Sequence, residues 1–171
     1  MGKFLGFPKN KKLNMKHKII TGIISVFMIA LVSLIISCKK KKAKDQAKTD
    51  NDSITKYISD NKLNAQSTSD GLYYVITTQG TGAQPNASSN VTVNYKGYLT
   101  NGTVFDQSAS TGLSFGLTSV IKGWQEGIPL FKKGGKGILL IPSALGYGDQ
   151  ASGSIPANSV LIFDITLINV Q

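Results

Sequence analysis

Apolar side chains in the second half of the chain recur with the periods of short strands and one helix. Alternating or continuously apolar segments that predict strands cover residues 72–78, 91–96, 103–105, 137–141 and 161–167. The pair Asn101-Gly102 between two of them is a strong hairpin signal. Trp124, Ile128 and Phe131 recur instead at helical spacing. Strands before and after a single helix predict an α+β domain with an antiparallel sheet and one short α-helix packed on one face.

An apolar N-terminal run predicts export. Residues 19–37 are uncharged and mostly apolar, follow a lysine-rich stretch and end at Cys38. The segment Leu34-Ile35-Ile36-Ser37-Cys38 resembles a bacterial lipobox, in which a small residue precedes the cysteine that takes the lipid. We therefore expect residues 1–37 to be a lipoprotein signal segment, with Met15 as an alternative start, and Cys38 to be the acylated N-terminus.

The same run has a second interpretation. It is about long enough to span a bilayer, so an uncleaved anchor is the alternative. The lipoprotein interpretation is favoured because the sole cysteine stands where this processing needs it. The lipoprotein interpretation predicts an exported protein, anchored to a membrane by its lipid and facing the periplasm or the cell surface. Whether the membrane is the inner or the outer one is undetermined.

We expect residues 38–69 to comprise the lipidated cysteine, a polar linker and a short helix. The stretch up to Ser53 consists almost entirely of polar residues, which cannot bury a core and predict a solvated spacer. Ser53 is a candidate N-cap for a helix that follows it. Ile54, Tyr57 and Ile58 give that helix one apolar stripe, so it should pack on the folded domain.

Charge and residue types exclude several function classes. The net charge is +10, yet residues 70–171 contain five lysines and five acidic residues and are neutral, so nucleic-acid binding is not expected. The only histidine, His17, and the only cysteine, Cys38, both precede this region. Ser-His-Asp and Cys-His catalysis and zinc sites built on these residues are therefore excluded there. We expect no metal and no cofactor, and a shaped pocket is one remaining source of catalysis.

Five segments in order and in register resemble the FKBP-type peptidyl-prolyl cis-trans isomerases. They are VNYKGYL at 93–99, GTVFD at 102–106, VIKGWQEG at 120–127, IPSALGYG at 141–148 and IPANSVLIFD at 155–164. The resemblance covers residues 70–171, which it identifies as an isomerase domain, and the lipobox makes the chain similar to a lipoprotein member. It implies a twisted antiparallel sheet wrapped around one short helix, with a pocket between them.

The resemblance also implies a function and partners. The function is peptidyl-prolyl isomerisation that accelerates the folding of exported proteins at Xaa-Pro bonds. The partners are unfolded or folding polypeptides that contain proline, and macrolide ligands of the family. Two other interpretations stay open: a low-turnover chaperone or proline-segment binding module on the same fold, and a structural envelope lipoprotein. A monomer is expected.

Pocket residues are implied at the positions that match the family. The catalytic set is Tyr95, Phe105, Asp106, Tyr147 and Phe163. The substrate-binding set is Leu113, Val120, Ile121, Trp124 and Ile155. The resemblance implies that Trp124 forms the floor of the pocket and that Asp106 hydrogen-bonds Tyr95. It also implies that the Ile121 N–H and the Tyr147 hydroxyl donate hydrogen bonds to substrate carbonyls. Taken singly, Trp124 and Phe163 would be read as core and Asp106 as a turn residue, so the joint pattern carries the assignment.

Two departures from the family pattern concern this site. The loop after Asp106 lacks the charged partner often found there, and Ser119 stands where many relatives place an acid or an amide.

Overall fold

Seven strands and two α-helices follow one another along residues 38–171, the part of the chain that the computed structural model describes. Residues 38–60 form helix α1, and Lys122–Gly127 form helix α2. The strands are β1 (Gln66–Ser67), β2 (Tyr73–Thr78), β3 (Asn90–Leu99), β4 (Val104–Gln107), β5 (Leu113–Gly116), β6 (Lys136–Ile141) and β7 (Leu161–Val170). Residues 45–171 form one compact unit.

All seven strands pair antiparallel in one sheet. Six follow the order β1-β2-β6-β7-β3-β4, and β5 pairs with β3. Strand β3 is the organising element, because it pairs with β7 along nearly its whole length. Its other edge is shared: Asn90–Val93 pair with β5, and Lys96–Tyr98 pair with β4. Strand β3 therefore brings β4 and β5 to the same edge of the sheet.

The predicted hairpin between β3 and β4 is present. Gly102 has φ +86°, a left-handed conformation that glycine adopts without steric cost, and its N–H donates to the Leu99 carbonyl over 2.8 Å. The Asn101 side chain accepts from the Thr103 N–H at 3.0 Å and fixes the turn. The turn sends the chain back along β3, so that β4 reaches the pocket described below.

Side-chain alternation along the strands separates two apolar clusters, one on each face of the sheet. Leu139 and Phe163 belong to the inner cluster, whereas Leu140 and Ile162, one residue away, belong to the outer cluster. Helix α2 packs on the inner face through Trp124. The buried members of the inner cluster are Leu72, Val91, Val93, Leu117, Trp124, Ile128, Phe131, Leu139, Ile141, Leu145, Ile155, Leu161, Phe163, Ile165 and Leu167. The predicted α+β fold, an antiparallel sheet with one short helix on its inner face, is confirmed.

Helix α1 packs on the outer face. Ile54 is fully buried there, and Tyr57 and Ile58 pack beside it, as the predicted stripe requires. The helix ends in a Schellman motif: Lys62 has φ +52°, and the Leu63 N–H donates to the Ile58 carbonyl at 2.9 Å.

The predicted spacer before Ser53, and Ser53 as an N-cap, are wrong. Residues 38–60 are one continuous helix, and the Ser53 hydroxyl donates to the Thr49 carbonyl inside it. The polar stretch that suggests a solvated coil contains six lysines and two alanines, residue types that favour a helix. Ion pairs between residues four apart, Lys48–Asp52 and Lys56–Asp60, support it further.

The predicted signal segment at 1–37, with the alternative start at Met15, lies outside the described residues. Within residues 38–171, none of the helices has both the length and the apolar character needed to cross a bilayer.

Candidate functional site

A cavity of about 680 Å³ opens on the inner side of the sheet, beside α2. Strands β3, β4, β5 and β7 supply part of its wall. Helix α2, the segment just before it and the segment that follows the 3-10 turn Ser143–Leu145 supply the rest. The cavity is lined by Tyr95, Phe105, Asp106, Leu113, Phe115, Ser119, Val120, Ile121, Trp124, Tyr147, Ser152, Gly153, Ser154, Ile155 and Phe163. All ten residues predicted for the pocket are in this set, so the structure brings them together; their individual roles stay predictions.

Trp124 lies at the centre of an aromatic cluster. Its ring meets Tyr95 and Phe163 edge to face, with centroids 5.0 and 5.1 Å apart, and meets Phe115 at 5.2 Å. Phe105 completes the cluster by an edge contact to Phe163 at 5.5 Å. These separations lie in the range that aromatic pairs prefer, so each ring holds its neighbours in place. The indole N–H of Trp124 is buried and has no hydrogen-bond partner within residues 38–171.

Two of these rings meet over a glycine in β3. A Cβ atom added to Gly97 would lie 2.6 Å from the Phe105 ring and 2.7 Å from the Phe163 ring, closer than real Cβ contacts come. Gly97 pairs with both Asp106 and Phe163 in the sheet. The missing side chain at this position therefore lets both rings reach the cavity wall.

Tyr95 and Asp106 form the polar part of the wall. The Tyr95 hydroxyl donates to Asp106 Oδ2 at 2.6 Å, and the Gln107 N–H donates to Asp106 Oδ1 at 2.9 Å. This is the hydrogen bond that the family resemblance implies. Partial burial, followed by the hydrogen bond to Asp106, raises the pKa of Tyr95 to about 12, so the phenol keeps its proton at neutral pH. Among the described residues no cation pairs with Asp106, whose recorded donors are the Tyr95 hydroxyl and a backbone N–H.

The mouth of the cavity carries polar and apolar groups that remain accessible. Ile121 precedes α2 in an extended conformation, and its N–H donates no hydrogen bond to the described residues. The adjacent Val120 carbonyl accepts from Gln125 Nε2 at 2.8 Å, which fixes this corner. Tyr147 and Leu113 are 42% and 49% exposed, so both side chains stand where an extended peptide would first meet the cavity.

Five lining residues were not among the predicted site residues: Phe115, Ser119, Ser152, Gly153 and Ser154. Phe115 follows Leu113 by two positions in β5, so strand alternation places both on the same side. That signal was present, but β5 has only four residues and lies in a segment rich in Ser, Thr and Gly. The three residues 152–154 form a tight turn closed by a bridge between Ser152 and Ile155, which has no equally clear sequence signal.

Comparison with known families identifies this arrangement. The family model described as FKBP-type peptidyl-prolyl cis-trans isomerase matches residues 81–168, about half of the chain. The chain belongs to this family. All five segments that suggested the resemblance fall within the matched range, and so do all the cavity-lining residues. Helix α1 and strands β1 and β2 lie before it.

Individual FKBP-type relatives extend the similarity beyond the matched range. The FKBP-type peptidyl-prolyl cis-trans isomerase FkpA of Aeromonas hydrophila is 42% identical over 136 residues, which cover 74% of this chain and 51% of the relative. The probable FKBP-type isomerase of Haemophilus influenzae is also 42% identical, over 80% of this chain and 59% of the relative. The chain spans about half the length of the curated relatives it matches first.

Solved structures agree with the FKBP fold. The crystal structure of FkpA from Escherichia coli aligns with a TM-score of 0.66 at 37% identity and covers 89% of this chain and 71% of that one. A peptidyl-prolyl cis-trans isomerase from Pseudomonas syringae aligns with a TM-score of 0.67 at 33% identity, over 75% of this chain and 95% of that one.

Proposed function

We propose that this chain is a peptidyl-prolyl cis-trans isomerase that accelerates the folding of exported proteins at Xaa-Pro bonds. One observation carries the proposal: a cluster of five aromatic rings in mutual contact lines an open cavity whose polar wall is the hydrogen-bonded pair of Tyr95 and Asp106. Membership of the FKBP-type family supports it.

The reaction needs a pocket rather than a reactive group. Rotation about a peptide bond costs about 18–20 kcal/mol because twisting breaks the amide resonance, so uncatalysed Xaa-Pro isomerisation takes tens to hundreds of seconds. No covalent bond is made or broken. A catalyst must bind the twisted amide better than either planar form. A twisted amide has less charge separation than a planar one, so an apolar cavity favours it relative to the planar state.

Different parts of the cavity lining would contact different parts of a substrate. The rings of Trp124, Phe163 and Phe105, in contact one after the next, form an apolar wall against which the pyrrolidine ring of proline would pack. The Ile121 N–H, which donates to none of residues 38–171, is placed to donate to a substrate carbonyl, and the accessible Tyr147 hydroxyl to another.

A protease-coupled assay on a short Xaa-Pro peptide tests the proposal. The full chain should raise the isomerisation rate, and Phe105→Ala should lower kcat/KM by about a hundredfold, equivalent to about 2.7 kcal/mol. Val104→Ala is the matched control, because Val104 adjoins Phe105 in β4 and is 43% exposed outside the cavity. It should keep wild-type activity.

Other outcomes of the same assay separate the alternatives. A wild-type chain that leaves the rate unchanged contradicts the enzyme proposal. If that chain still binds the peptide, and Phe105→Ala abolishes binding, the cavity is the proline-segment binding module that the sequence leaves open. Competition by a macrolide ligand of the family would place such ligands in the same cavity, and we propose that they bind there.

We further propose that the chain is an exported lipoprotein, anchored by an acyl group on Cys38 and facing the periplasm or the cell surface. The support is the lipobox-like segment that ends at this residue and the exposure of its side chain. Intact-mass measurement of the membrane fraction should give a diacylated chain that begins at Cys38. Cys38→Ser should move the protein to the soluble fraction. An unmodified mass that includes residues 1–37 would contradict the proposal.

A further inference from the structure

A buried carboxylate joins α1 to the segment that leads to Tyr147. Asp50 and Ser143 are each 2% exposed. Asp50 Oδ2 accepts from the Ser143 N–H at 2.9 Å and from the Ser143 hydroxyl at 2.6 Å, and Asp50 Oδ1 accepts from Gln46 Nε2 at 2.7 Å. The link spans 93 residues of sequence.

The three hydrogen bonds explain how the Asp50 carboxylate is accommodated at a buried position. Burying a charged group is costly unless hydrogen bonds replace its lost water. Here both carboxylate oxygens of Asp50 are bonded, and neither recorded ion pair of residues 38–171 involves it. Ser143 begins a 3-10 turn that has no side-chain cap from its own neighbourhood. Asp50 therefore caps this turn from a distant helix.

The same 3-10 turn fixes the backbone on both sides of Tyr147. The Ser143 carbonyl accepts from the N–H groups of Gly146 and Gly148, at 3.0 and 2.8 Å. The Gly148 carbonyl then accepts from the Asn158 N–H at 2.8 Å, where the loop returns towards β7. A continuous series of hydrogen bonds thus runs from the carboxylate of Asp50 to the backbone on either side of Tyr147.

We propose that Asp50 is a positioning residue that holds Tyr147 at the mouth of the cavity through Ser143. The proposal deepens the isomerase function and rests on it. Asp50 lies outside residues 81–168, the part of the chain that matches the family model. Helix α1 therefore acts on the pocket from outside the matched domain, by bracing the rim against which a peptide would bind.

Substitutions on α1 test the proposal in the full chain. Asp50→Ala should lower kcat/KM about tenfold, mainly through kcat, because one hydrogen bond to the twisted substrate is weakened. Asp50→Asn keeps an acceptor and should recover activity to within about threefold of wild type. Ser143→Ala removes only the hydroxyl bond and should have an intermediate effect. Asp52→Ala, on the exposed side of the same helix, should leave kcat and KM unchanged.

A stability control separates positioning from general damage. Ile54→Ala weakens the packing of the same helix but leaves the Asp50 carboxylate and Ser143 in place. At a temperature where all variants are folded, Ile54→Ala should keep wild-type kcat. An equal loss of kcat in Ile54→Ala and Asp50→Ala would overturn the proposal.

Hydrogen exchange gives a readout that does not depend on turnover. The Gly148 N–H should exchange about tenfold faster in Asp50→Ala than in wild type, and at the wild-type rate in Asp52→Ala. Unchanged exchange at Gly148 would overturn the positioning role even if the enzyme is active. A wild-type chain without isomerase activity would contradict the proposed function, and the exchange rates would still decide whether Asp50 holds this loop.

Discussion

The two faces of the sheet carry apolar clusters that are closed to different degrees. On the outer face, α1 covers the cluster around Ile54, and polar bonds seal its edge, among them the bond from the Tyr73 hydroxyl to Asn51 at 2.8 Å. On the inner face, α2 has only six residues and covers part of a larger cluster. The uncovered part is the aromatic cavity of about 680 Å³.

The difference separates stability from function within one sheet. A closed apolar cluster stabilises the fold by removing side chains from water. An open aromatic cavity gives up part of that stabilisation and keeps surface available for a substrate. Substitutions in the outer cluster should therefore change the free energy of unfolding, whereas substitutions at the cavity should change activity.

The largest expected effect is on the outer face. Ile54→Ala removes a fully buried side chain and should lower the free energy of unfolding by about 2–5 kcal/mol. Denaturant titration measures the loss, and Ile58→Ala, at a half-buried position of the same stripe, should cost less. An Ile54→Ala variant as stable as wild type would contradict the role of the outer cluster in stability.

A smaller loss of stability with a larger loss of activity is expected at the cavity. Gly97→Ala would push its Cβ into the rings of Phe105 and Phe163, and overpacking of this kind costs about 1–3 kcal/mol. The displaced rings should also lower kcat/KM of the folded protein. Denaturant titration and the peptide assay on the same sample measure both effects. Normal activity in a destabilised Gly97→Ala variant would show that the two rings do not shape the substrate site.

The smallest effect concerns pH. The pKa of Tyr95 is raised to about 12, chiefly by burial and then by its bond to Asp106, above the ordinary tyrosine value near 10. The neutral phenol thus contributes stability that is fully present below pH 10 and is lost as pH rises through 12. Ultraviolet difference titration should show one late-ionising tyrosine fewer in Tyr95→Phe. A Tyr95 that ionises near pH 10 would contradict the partly buried, hydrogen-bonded pair of Tyr95 and Asp106.

The sequence predicts the inner face better than the outer one. Strands β3 and β7 show strong alternation, and the family segments contain nine of the ten predicted residues that the structure brings together at the cavity, all except Leu113. Phe115 was missed because β5 is short and its neighbours are typical of loops.

The outer face has weaker local signals. A run of lysines and small polar residues is compatible with coil and with helix. The packing of Ile54 and the capping of Ser143 by Asp50 are long-range contacts that favour the helix. A hydrogen bond between residues 93 positions apart leaves no periodic pattern in a single sequence.

Isomerisation itself can be observed at equilibrium, without a protease, by NMR exchange spectroscopy of a short Xaa-Pro peptide. Uncatalysed cis and trans forms interconvert over tens to hundreds of seconds and give separate signals without exchange peaks. A substoichiometric amount of the full chain should produce exchange peaks within about a second, and Phe105→Ala should abolish them while Val104→Ala keeps them. Spectra that are the same with and without the wild-type chain would contradict the account of the aromatic cavity as an isomerase site.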